Sequence, residues 1–563
     1  MQALDYITLL VFTAGVLFSG LVMSRRGKSV RSYFNAGGSV PWPMAGLSLF
    51  MGFFSAGTFV VWGSIAYSYG WVSIAIQWGM CLAGLIVGLF IAKKWRETGV
   101  LTAGEYIVAR LGTRTQKTYT LLFLFVSLFT TGSFLYPVGK IISISTGLSL
   151  SASIALIGLV SIIYVALGGL RAVVVTDVLQ FVILFAAVLI VIPLSFQRVG
   201  GVSAWVEATP QGFFDLTAGE YSPLFVIAFS LYNTAFLAGN WAYVQRYTSV
   251  KDGKSARKVG FLFSALYSFC PVLWMLPPMI YRVLSPGLVD FGDEGAYLLM
   301  CKEVLPSGIL GLMLGGMVFA TASSLNATLN ISSAVFTNDI YKRIHPSAGE
   351  KSMMRVARLS TVGFGIAAVI VALLIPRMGG VVNVVISVGA LTGVPLYLPV
   401  IWSLFSKRQT GKSVLGVTVI SLLVNLFFKF VTPLFGGLSL DRTQETVLGV
   451  GLPIILLAAY ELYARWKGID ACAEYAAYHD SRMSASPTGE RAEESGEDKD
   501  NTDSLKVIGL GIVIAGAVIC ALGILSSESA SIVCPVSVVL MAIGLSVYFK
   551  ANTQRHHVVR RIQ

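Results

Sequence analysis

The sequence predicts an all-α integral membrane protein. Its 563 residues are 55% hydrophobic and only 12% charged, and the mean hydropathy is +0.76, whereas a soluble domain carries about a quarter charged residues. Apolar runs of about 20 residues, the length of a membrane-spanning helix, recur along the chain. The alternating pattern of barrel strands does not recur, so helices rather than a β-barrel are predicted.

The apolar runs predict about fifteen spans. Their approximate limits are 5–23, 43–67, 71–92, 118–144, 150–168, 172–195, 222–245, 259–282, 307–335, 357–376, 382–405, 413–433, 446–464, 507–525 and 531–549. The first run is predicted to be an uncleaved helix, because the preceding MQALDY carries no positive charge and the basic MSRRGKSVR follows it.

The net charge of +13 is explained by topology. If the N-terminus lies outside, alternate loops on the inner side receive 34 of the 41 Lys and Arg residues. This is the positive-inside pattern of a multi-pass protein of the plasma or inner membrane, with a cytoplasmic C-terminus. No nucleic-acid partner is needed to account for the charge.

The six cysteines form no CxxC motif and are interpreted as small apolar side chains.

The second and seventh spans are rich in glycine and polar residues. The second contains Gly52 and Gly57 with hydroxyl residues near its middle, and the seventh contains Asn233, Gly239 and Asn240. These spans lie five apart, and interrupted helices at matching positions of two five-helix halves are typical of inverted-repeat secondary transporters. The alternative for either span alone is a small-residue face for helix packing.

The ninth span carries hydroxyls and amides in the stretch ATASSLNATLNISSAVFTNDIYKR, residues 320–343. Ala320, Ser323 and Ser324 lie at i, i+3 and i+4, which places them on one face of a helix. Two hydroxyls and a backbone carbonyl supply hard, uncharged oxygen ligands, which suit a monovalent cation. The alternative is that the serines bond to their own helix backbone or join helices.

These motifs resemble the sodium:solute symporter family. The resemblance rests on the 320–343 stretch, GLRAVVVTDVLQ ending at residue 180, YVQRYTSVKDGKSARK at 243–258, SVRSYFNAGGSVPWP at 29–43 and GSIAYSYGW at 63–71. It spans roughly residues 5–465 and implies a leucine-transporter-type fold, with spans two to six and seven to eleven as inverted repeats. It also implies a main sodium site formed by the carbonyls of Met51, Phe54 and Ala320 and the hydroxyls of Ser323 and Ser324.

Some family members have a second sodium site that uses further serines and the Asp of a TD motif. Thr176 and Asp177 retain that motif here, but the paired serine positions are Asn326 and Ala327. One sodium ion per cycle is therefore expected. For Asp177 two roles stay open, one in coupling and one as a solvated or hydrogen-bonded side chain near the end of span six.

The resemblance places the solute between the middles of spans two and seven. The candidate solute contacts are Ser55, Thr58, Gln77, Asn233, Phe236, Asn240 and Trp241. Asn233 matches an amide of the family's sugar transporters. Thr58, Gln77 and Phe236 stand where those transporters have glutamine, glutamate and a gating tyrosine, so the sugar pattern is only partly met. Trp241 is interpreted either as a stacking surface for a sugar or as a packing residue.

Lys140, late in span four, raises the question of solute charge. A buried ammonium is costly unless it is paired, so Lys140 is a candidate counter-charge for a carboxylate solute. Its alternative is a side chain that extends to the outer interface.

The resulting division of the chain is an extra helix and basic loop at 1–40, repeats at 41–200 and 201–410, two helices at 411–466, a disordered cytoplasmic linker at 467–506 and a terminal pair with a basic tail at 507–563. The predicted function is sodium-coupled import of a small polar solute, a sugar or similar, by alternating access. The alternatives are a sugar acid or other carboxylate as solute, a proton-coupled carrier, or a membrane sensor. No organic cofactor and no enzymatic activity are expected, because no HExxH or nucleophile motif is present.

Overall fold

The computed structural model describes residues 2–24, 40–100, 102–167, 170–288, 292–435, 440–484, 494–525 and 529–562. Within these ranges, the description does not extend to the side chains of 16–24, 163–175, 322–323, 326–327, 330, 338–339, 388, 390, 434, 483–484, 494–504 and 554–562. The described chain is almost entirely helical, and its one isolated β-bridge joins Ala218 to Tyr221.

Twenty-three α-helices are described, numbered here in chain order. They are α1 Ala3–Ser24, α2 Trp42–Met51, α3 Gly63–Tyr69, α4 Val72–Ile86, α5 Ala92–Glu97, α6 Ala103–Leu111, α7 Thr113–Thr146, α8 Leu150–Leu167, α9 Leu170–Arg198, α10 Val202–Ala208, α11 Pro223–Gly239, α12 Trp241–Thr248, α13 Gly253–Leu284, α14 Ala296–Val304, α15 Ile309–Val335, α16 Lys342–Ile344, α17 Glu350–Leu374, α18 Gly380–Ser403, α19 Gly411–Leu426, α20 Arg442–Trp466, α21 Ala473–Ser484, α22 Glu494–Leu525 and α23 Ala530–Ile562. Short π-helical segments, including Thr58–Trp62 and Val87–Ile91, continue some of them.

The described helices include ten that are long and apolar enough to cross a membrane. The pair α11 and α12, bent by 60° at its break, adds an eleventh if it counts as one span. Four shorter apolar helices, Ala3–Gly15, Trp42–Met51, Leu150–Ile162 and Ile309–Thr321, coincide with further predicted spans. The all-helical membrane architecture is confirmed, and the count of about fifteen stays a prediction.

Loops that follow alternate spans meet at one end of the helix bundle. There, Arg96 Nε donates to the carbonyl of Val250 at 2.6 Å, and Arg110 Nη2 donates to the carbonyl of Ser406 at 2.9 Å. We call this the basic end. At the opposite end, the Tyr67 hydroxyl donates to the carbonyl of Ser285 at 2.7 Å. The two ends are joined by a continuous apolar core, in which Phe54 stacks on Trp274 with ring centroids 4.5 Å apart.

The segment predicted to be a disordered linker contains helix α21. The prediction is wrong for these residues, because α21 packs on the basic end. Its Tyr478 ring lies 5.9 Å from the ring of Tyr106, and Cys472, just before the helix, is buried. The segment as a whole is polar and charged, but residues 473–484 include aromatic and alanine residues among the polar ones. Residues 485–493 lie outside the described part of the chain.

Candidate functional site

The second span is interrupted between α2 and the π-helical segment Thr58–Trp62, as its glycine content predicts. Helix α2 ends at Met51, residues 52–55 are not helical, and the helix resumes at residue 56, just before the π-helical segment. Gly52 lies against α12 so closely that a Cβ atom there would be 3.0 Å from the ring of Tyr243. Glycine at position 52 therefore permits the close approach of the two interrupted spans, because a larger residue would press on the Tyr243 ring.

The interruption frees the two backbone carbonyls that the resemblance assigns to sodium. In a continuous helix, the Ser55 N–H would donate to the carbonyl of Met51, but it donates to Thr58 Oγ1 at 3.1 Å. The Thr58 N–H would likewise reach the carbonyl of Phe54, but it donates to the carbonyl of Ser55 at 3.0 Å. Both carbonyls thus lose their regular helical donor, which leaves them free to bind a cation.

Helix α15 packs directly against this interruption. The Ala56 N–H donates to Thr321 Oγ1 at 3.0 Å, and that hydroxyl donates to the carbonyl of Met317. Ala320, the next candidate ligand, is fully buried, and Ser324 is 7% exposed. Ser324 Oγ lies 3.4 Å from the carbonyl oxygen of Ala320, a long back-bond within the helix.

Two of the five candidate sodium ligands, Met51 and Phe54, thus belong to the broken span, and two more, Ala320 and Ser324, belong to the helix that contacts it. The fifth, the Ser323 side chain, lies outside the described residues, as do the side chains of Asn326 and Ala327. Thr321 is a positioning residue that the sequence analysis did not single out. Thr321 belongs to the hydroxyl-rich stretch 320–343, but its position lies off the helix face defined by Ala320, Ser323 and Ser324.

The seventh span breaks at Asn240, between α11 and α12. Asn240 caps the second half, since its Oδ1 accepts from the Ala242 N–H at 3.0 Å and its carbonyl accepts from the Val244 N–H at 2.9 Å. Asparagine is among the favoured N-cap residues because its side chain satisfies an otherwise unpaired N–H. The prediction of an interrupted seventh span is confirmed, and the bend is 60°.

A cavity of about 140 Å³ lies between the two breaks, and we call it the central cavity. Five of the seven predicted solute contacts line it, namely Ser55, Thr58, Gln77, Asn233 and Phe236. Its other lining residues come mainly from α7, α11 and α18 and include the tyrosines Tyr232, Tyr243, Tyr267 and Tyr397. Among the described lining residues, none carries a charge, and hydroxyls and amides alternate with aromatic rings.

Two amides in the central cavity differ in their partners. Gln77 accepts from Trp274 Nε1 at 2.8 Å and donates to the carbonyl of Ser73 at 3.2 Å. Asn233 is 5% exposed, and its Nδ2 has no hydrogen-bond partner in the described part of the protein. A buried amide donor without a partner is costly, so the Asn233 side chain is poised to donate to a bound molecule.

Two of the predicted solute contacts lie elsewhere. Trp241 stacks on Phe123, with ring centroids 4.5 Å apart and ring planes 7° from parallel. It does not line the central cavity, so the structure favours its role in packing within the protein. Asn240 lines a smaller adjoining cavity of about 30 Å³, where its Nδ2 donates to the hydroxyl of Tyr397 at 3.4 Å.

The adjoining cavity leads from the central cavity to a buried charged pair. Asp177 is 1% exposed and accepts from Ser48 Oγ at 2.6 Å, and Ser48 Oγ in turn accepts from Arg246 Nε at 3.2 Å. These residues share the cavity with Ser324. Of the alternative given for Asp177, a solvated or hydrogen-bonded side chain, the structure shows the buried, hydrogen-bonded form. Sequence reasoning missed Ser48 and Arg246, because 129 residues separate Ser48 from Asp177 and no local pattern joins them.

Lys140 has a partner within the protein. Its Nζ lies 3.7 Å from Glu294 Oε2 at the opposite end of the bundle, and it does not line the central cavity. Glu294 also accepts from the Tyr136 hydroxyl at 2.9 Å and from the Val381 N–H at 3.2 Å. Burial raises the pKa of the Glu294 carboxyl, and the Lys140 ammonium opposes that rise. The proposed counter-charge role of Lys140 is a misassignment, because Glu294 already supplies its negative charge.

A sequence model described as the sodium:solute symporter family matches residues 33–420 of this chain. The chain therefore belongs to the sodium:solute symporter family, and sodium-coupled transport of a solute follows from that membership.

Curated relatives cover most of the chain. The sodium/glucose cotransporter of Vibrio parahaemolyticus is 28% identical over 474 residues, covering 76% of this chain and 85% of the relative. The sodium/sialic acid symporter SiaT of Proteus mirabilis is 28% identical over 434 residues, covering 74% and 88%. The mouse sodium/myo-inositol cotransporter 2 is 29% identical over 484 residues, covering 76% and 70%.

Two solved structures share the architecture. A substrate-bound, outward-open Na⁺-coupled sialic acid symporter superimposes with a TM-score of 0.69 at 25% identity, covering 82% of this chain and 98% of that one. The nucleobase-cation-symport transporter Mhp1, in a closed conformation, gives a TM-score of 0.53 at 15% identity, covering 78% and 96%. The predicted leucine-transporter-type fold is thereby confirmed.

Proposed function

We propose that this symporter carries a small, uncharged, polyhydroxylated solute such as a sugar or polyol. The observation that carries the proposal is the central cavity, whose described lining has hydroxyls, amides and aromatic rings but no charge. Hydroxyl groups of a solute can pair with such a lining, whereas a carboxylate would be buried without a counter-ion, which is costly. The pairing of Lys140 with Glu294 removes the main argument for a sugar acid.

In this proposal Asn233 is the main polar contact of the solute. Its unpartnered Nδ2 donates to a solute hydroxyl, while Ser55 and Thr58 contribute hydroxyl groups from the break in the second span. The names of the relatives, which include glucose and myo-inositol cotransporters, agree with a polyhydroxylated solute.

Sodium is proposed to bind to the carbonyls of Met51, Phe54 and Ala320 and to the hydroxyls of Ser323 and Ser324. Such a site ties the broken second span to α15, so that sodium binding fixes the angle between them. Coupling requires each ligand to favour the same conformation and to raise the affinity of the other by the same factor. Entry of one positive charge gains about 2.3 kcal/mol per 100 mV of membrane potential.

The basic end is proposed to face the cytoplasm, with the N-terminus outside, since most Lys and Arg residues lie in loops at that end. The protein is then a carrier rather than an enzyme, and it uses no organic cofactor. One sodium ion per cycle is proposed, with Asp177 acting in the ion path through Ser48.

The test is uptake into proteoliposomes under a sodium gradient. The panel contains hexoses, inositols, sialic acid, amino acids and monocarboxylates, and each solute is measured with the unaltered protein, with Asn233→Ala and with Asn552→Ala. Asn552 is a matched control, because its amide lies in the terminal helix pair, where it accepts from Lys506, and it lines neither cavity.

The expected result is sodium-driven uptake of a neutral polyhydroxylated solute that Asn233→Ala weakens by about tenfold, the effect of one hydrogen bond in a buried site. Asn552→Ala leaves uptake unchanged. Uptake confined to carboxylates, or uptake that survives Asn233→Ala in full, would overturn the assignment of the solute class.

A further inference from the structure

A third cavity lies at the basic end, away from the breaks in the second and seventh spans. Its volume is about 340 Å³, compared with about 140 Å³ for the central cavity. Its walls are the end of α5, helix α6, the last residues of α18 and helix α21. We call it the basic-end cavity. None of the residues assigned to sodium or to the solute lines it.

Arg110 is the most deeply buried charge in this cavity. It is 1% exposed, and its Nη2 donates to the carbonyls of Ser406 at 2.9 Å and Gln409 at 3.1 Å. Its guanidinium also lies 5.1 Å from the ring centre of Tyr475. Its Nε has no partner in the described part of the chain. These partners are neutral, so the buried guanidinium has both a net charge and an N–H available for an anion.

Two further cations line the same cavity from different walls. Lys94 comes from α5, and Arg482 comes from α21, where it donates to the carbonyl of Glu97 and lies 5.7 Å from the ring of Tyr478. The Tyr478 hydroxyl lies beside the Arg482 guanidinium. Cations thus reach this cavity from α5, α6 and α21.

Negative charge in the cavity is sparse. Glu97 is the carboxylate among the described lining residues, and its Oε1 pairs with Lys93 at 3.4 Å. Nearby, the Glu461 carboxylate accepts from Arg408 at 3.1 Å. Both carboxylates thus have cation partners, and the described lining carries three cations, Lys94, Arg110 and Arg482, against the one carboxylate of Glu97.

We propose that the basic-end cavity binds a phosphate group, supplied either by the headgroup of an anionic phospholipid or by a soluble phosphate ester. A phosphate has several oxygens at tetrahedral angles, so it can accept from Arg110, Lys94, Arg482 and Tyr478 on separate walls at once. A planar carboxylate accepts hydrogen bonds in fewer directions, so it would contact fewer of these groups. The bound phosphate joins α21 to α5 and α6 and holds the C-terminal segment against the transport bundle.

The test measures thermal unfolding of the full-length protein in nanodiscs. One arm uses phosphatidylcholine with added sn-glycerol 3-phosphate, and the other replaces part of the phosphatidylcholine with phosphatidic acid. Sodium chloride at matched ionic strength separates specific binding from general screening. Because Arg110 is buried and its removal endangers folding, the test variant is Lys94→Gln/Arg482→Gln. The control, Lys351→Gln/Arg355→Gln, removes the same charge from exposed positions that do not line the cavity.

The expected result is a higher unfolding midpoint in at least one arm, as ligand binding to the folded state requires. The test variant weakens the apparent affinity by about tenfold or more, while the control retains it. A response to phosphatidic acid alone identifies a lipid headgroup, and a response to the soluble ester identifies a metabolite; either supports the site. No shift in either arm, a shift that chloride reproduces, or an equal loss in the control would overturn it. These unfolding measurements do not depend on transport. A negative result would therefore reject the phosphate site without bearing on the proposed class of solute.

Discussion

The break in the second span, between Met51 and Thr58, and the break in the seventh span, at Asn240, use their backbone polar groups in opposite ways. We call them the first and the second break. In the first break, the Ser55 and Thr58 N–H groups turn away from the carbonyls of Met51 and Phe54, which are left free. In the second break, Asn240 caps the following helix, and its own carbonyl accepts from the Val244 N–H. The first break therefore leaves two carbonyls without their regular helical donors, while the second is satisfied by the Asn240 cap and by a distant side chain, since Trp95 Nε1 donates to the carbonyl of Ala238 at 2.7 Å.

This difference assigns different tasks to the two halves of an inverted repeat. An open break with exposed carbonyls, packed against the hydroxyls of α15, is suited to a cation. A capped break offers side chains instead. Asn233, whose Nδ2 has no partner in the described part of the protein, lies in α11, the helix that ends at this break. The ion is thus expected to depend on the first break, and the main amide contact of the solute on the helix that ends at the second break. The following predictions test that division in order of decreasing effect.

Thr321→Val should have the largest effect, and it should act on the first break. The substitution leaves the buried Ala56 N–H without its acceptor, which costs about 2 kcal/mol of unfolding free energy. The apparent sodium affinity should fall together with stability. Thr321→Ser retains the hydroxyl and serves as the control. Sodium-dependent thermal unfolding of the purified protein measures both quantities, and normal sodium affinity in Thr321→Val would show that α15 does not position the break.

Ser324→Ala should weaken the apparent sodium affinity by about tenfold, with little loss of stability, because it removes one proposed oxygen ligand. Ser421→Ala is the matched control. Ser421 is also a fully buried serine in an apolar helix, and its hydroxyl has no partner in the described structure. Sodium titration of solute uptake distinguishes the two variants, and an unchanged titration in Ser324→Ala would remove this ligand from the proposal.

Asn240→Ala should lower stability by about 1 kcal/mol, the usual cost of an N-cap. Because no proposed sodium ligand belongs to the second break, the sodium titration should not change beyond that loss. Asn240→Asp preserves the capping oxygen and should restore stability. A selective loss of sodium affinity in Asn240→Ala would contradict the division between the two breaks.

Lys140→Met should have the smallest effect on solute choice, which we expect to stay unchanged. The substitution removes the cation paired with Glu294, so it should lower stability, and adding Glu294→Gln should recover part of that loss. Competition among neutral and acidic solutes for uptake provides the measurement. A change in the preference for acidic over neutral solutes would return Lys140 to the solute site.

The sequence contained enough information to predict both breaks. Gly52, Gly57 and Asn240 are residues whose backbone or capping preferences interrupt helices, and their five-span separation gave the inverted repeat. The ligand set of the sodium site came from the family resemblance and stays a prediction; the structure shows that α15 contacts the broken span, through the hydrogen bond from Ala56 to Thr321. Local chemistry and repeat spacing were sufficient for these features because they depend on residues close in sequence or on symmetry.

The remaining features depend on contacts between distant residues. Ala56 bonds to Thr321 across 265 positions, and Ser48 bonds to Asp177 across 129. Lys140 finds its counter-charge in Glu294, and α21 is ordered by packing on α6. A single sequence records the residue types in each pair, but it does not record which of them the fold brings together.

The central claim is that sodium binds where the first break meets α15, and one comparison tests it most directly. Solute uptake into proteoliposomes would be driven by a sodium, potassium or proton gradient, with the unaltered protein, Ser324→Ala and Ser421→Ala. We predict uptake that requires sodium, needs about tenfold more sodium in Ser324→Ala and is unchanged in Ser421→Ala. Uptake driven equally well by a proton gradient, and indifferent to Ser324→Ala, would contradict the sodium site.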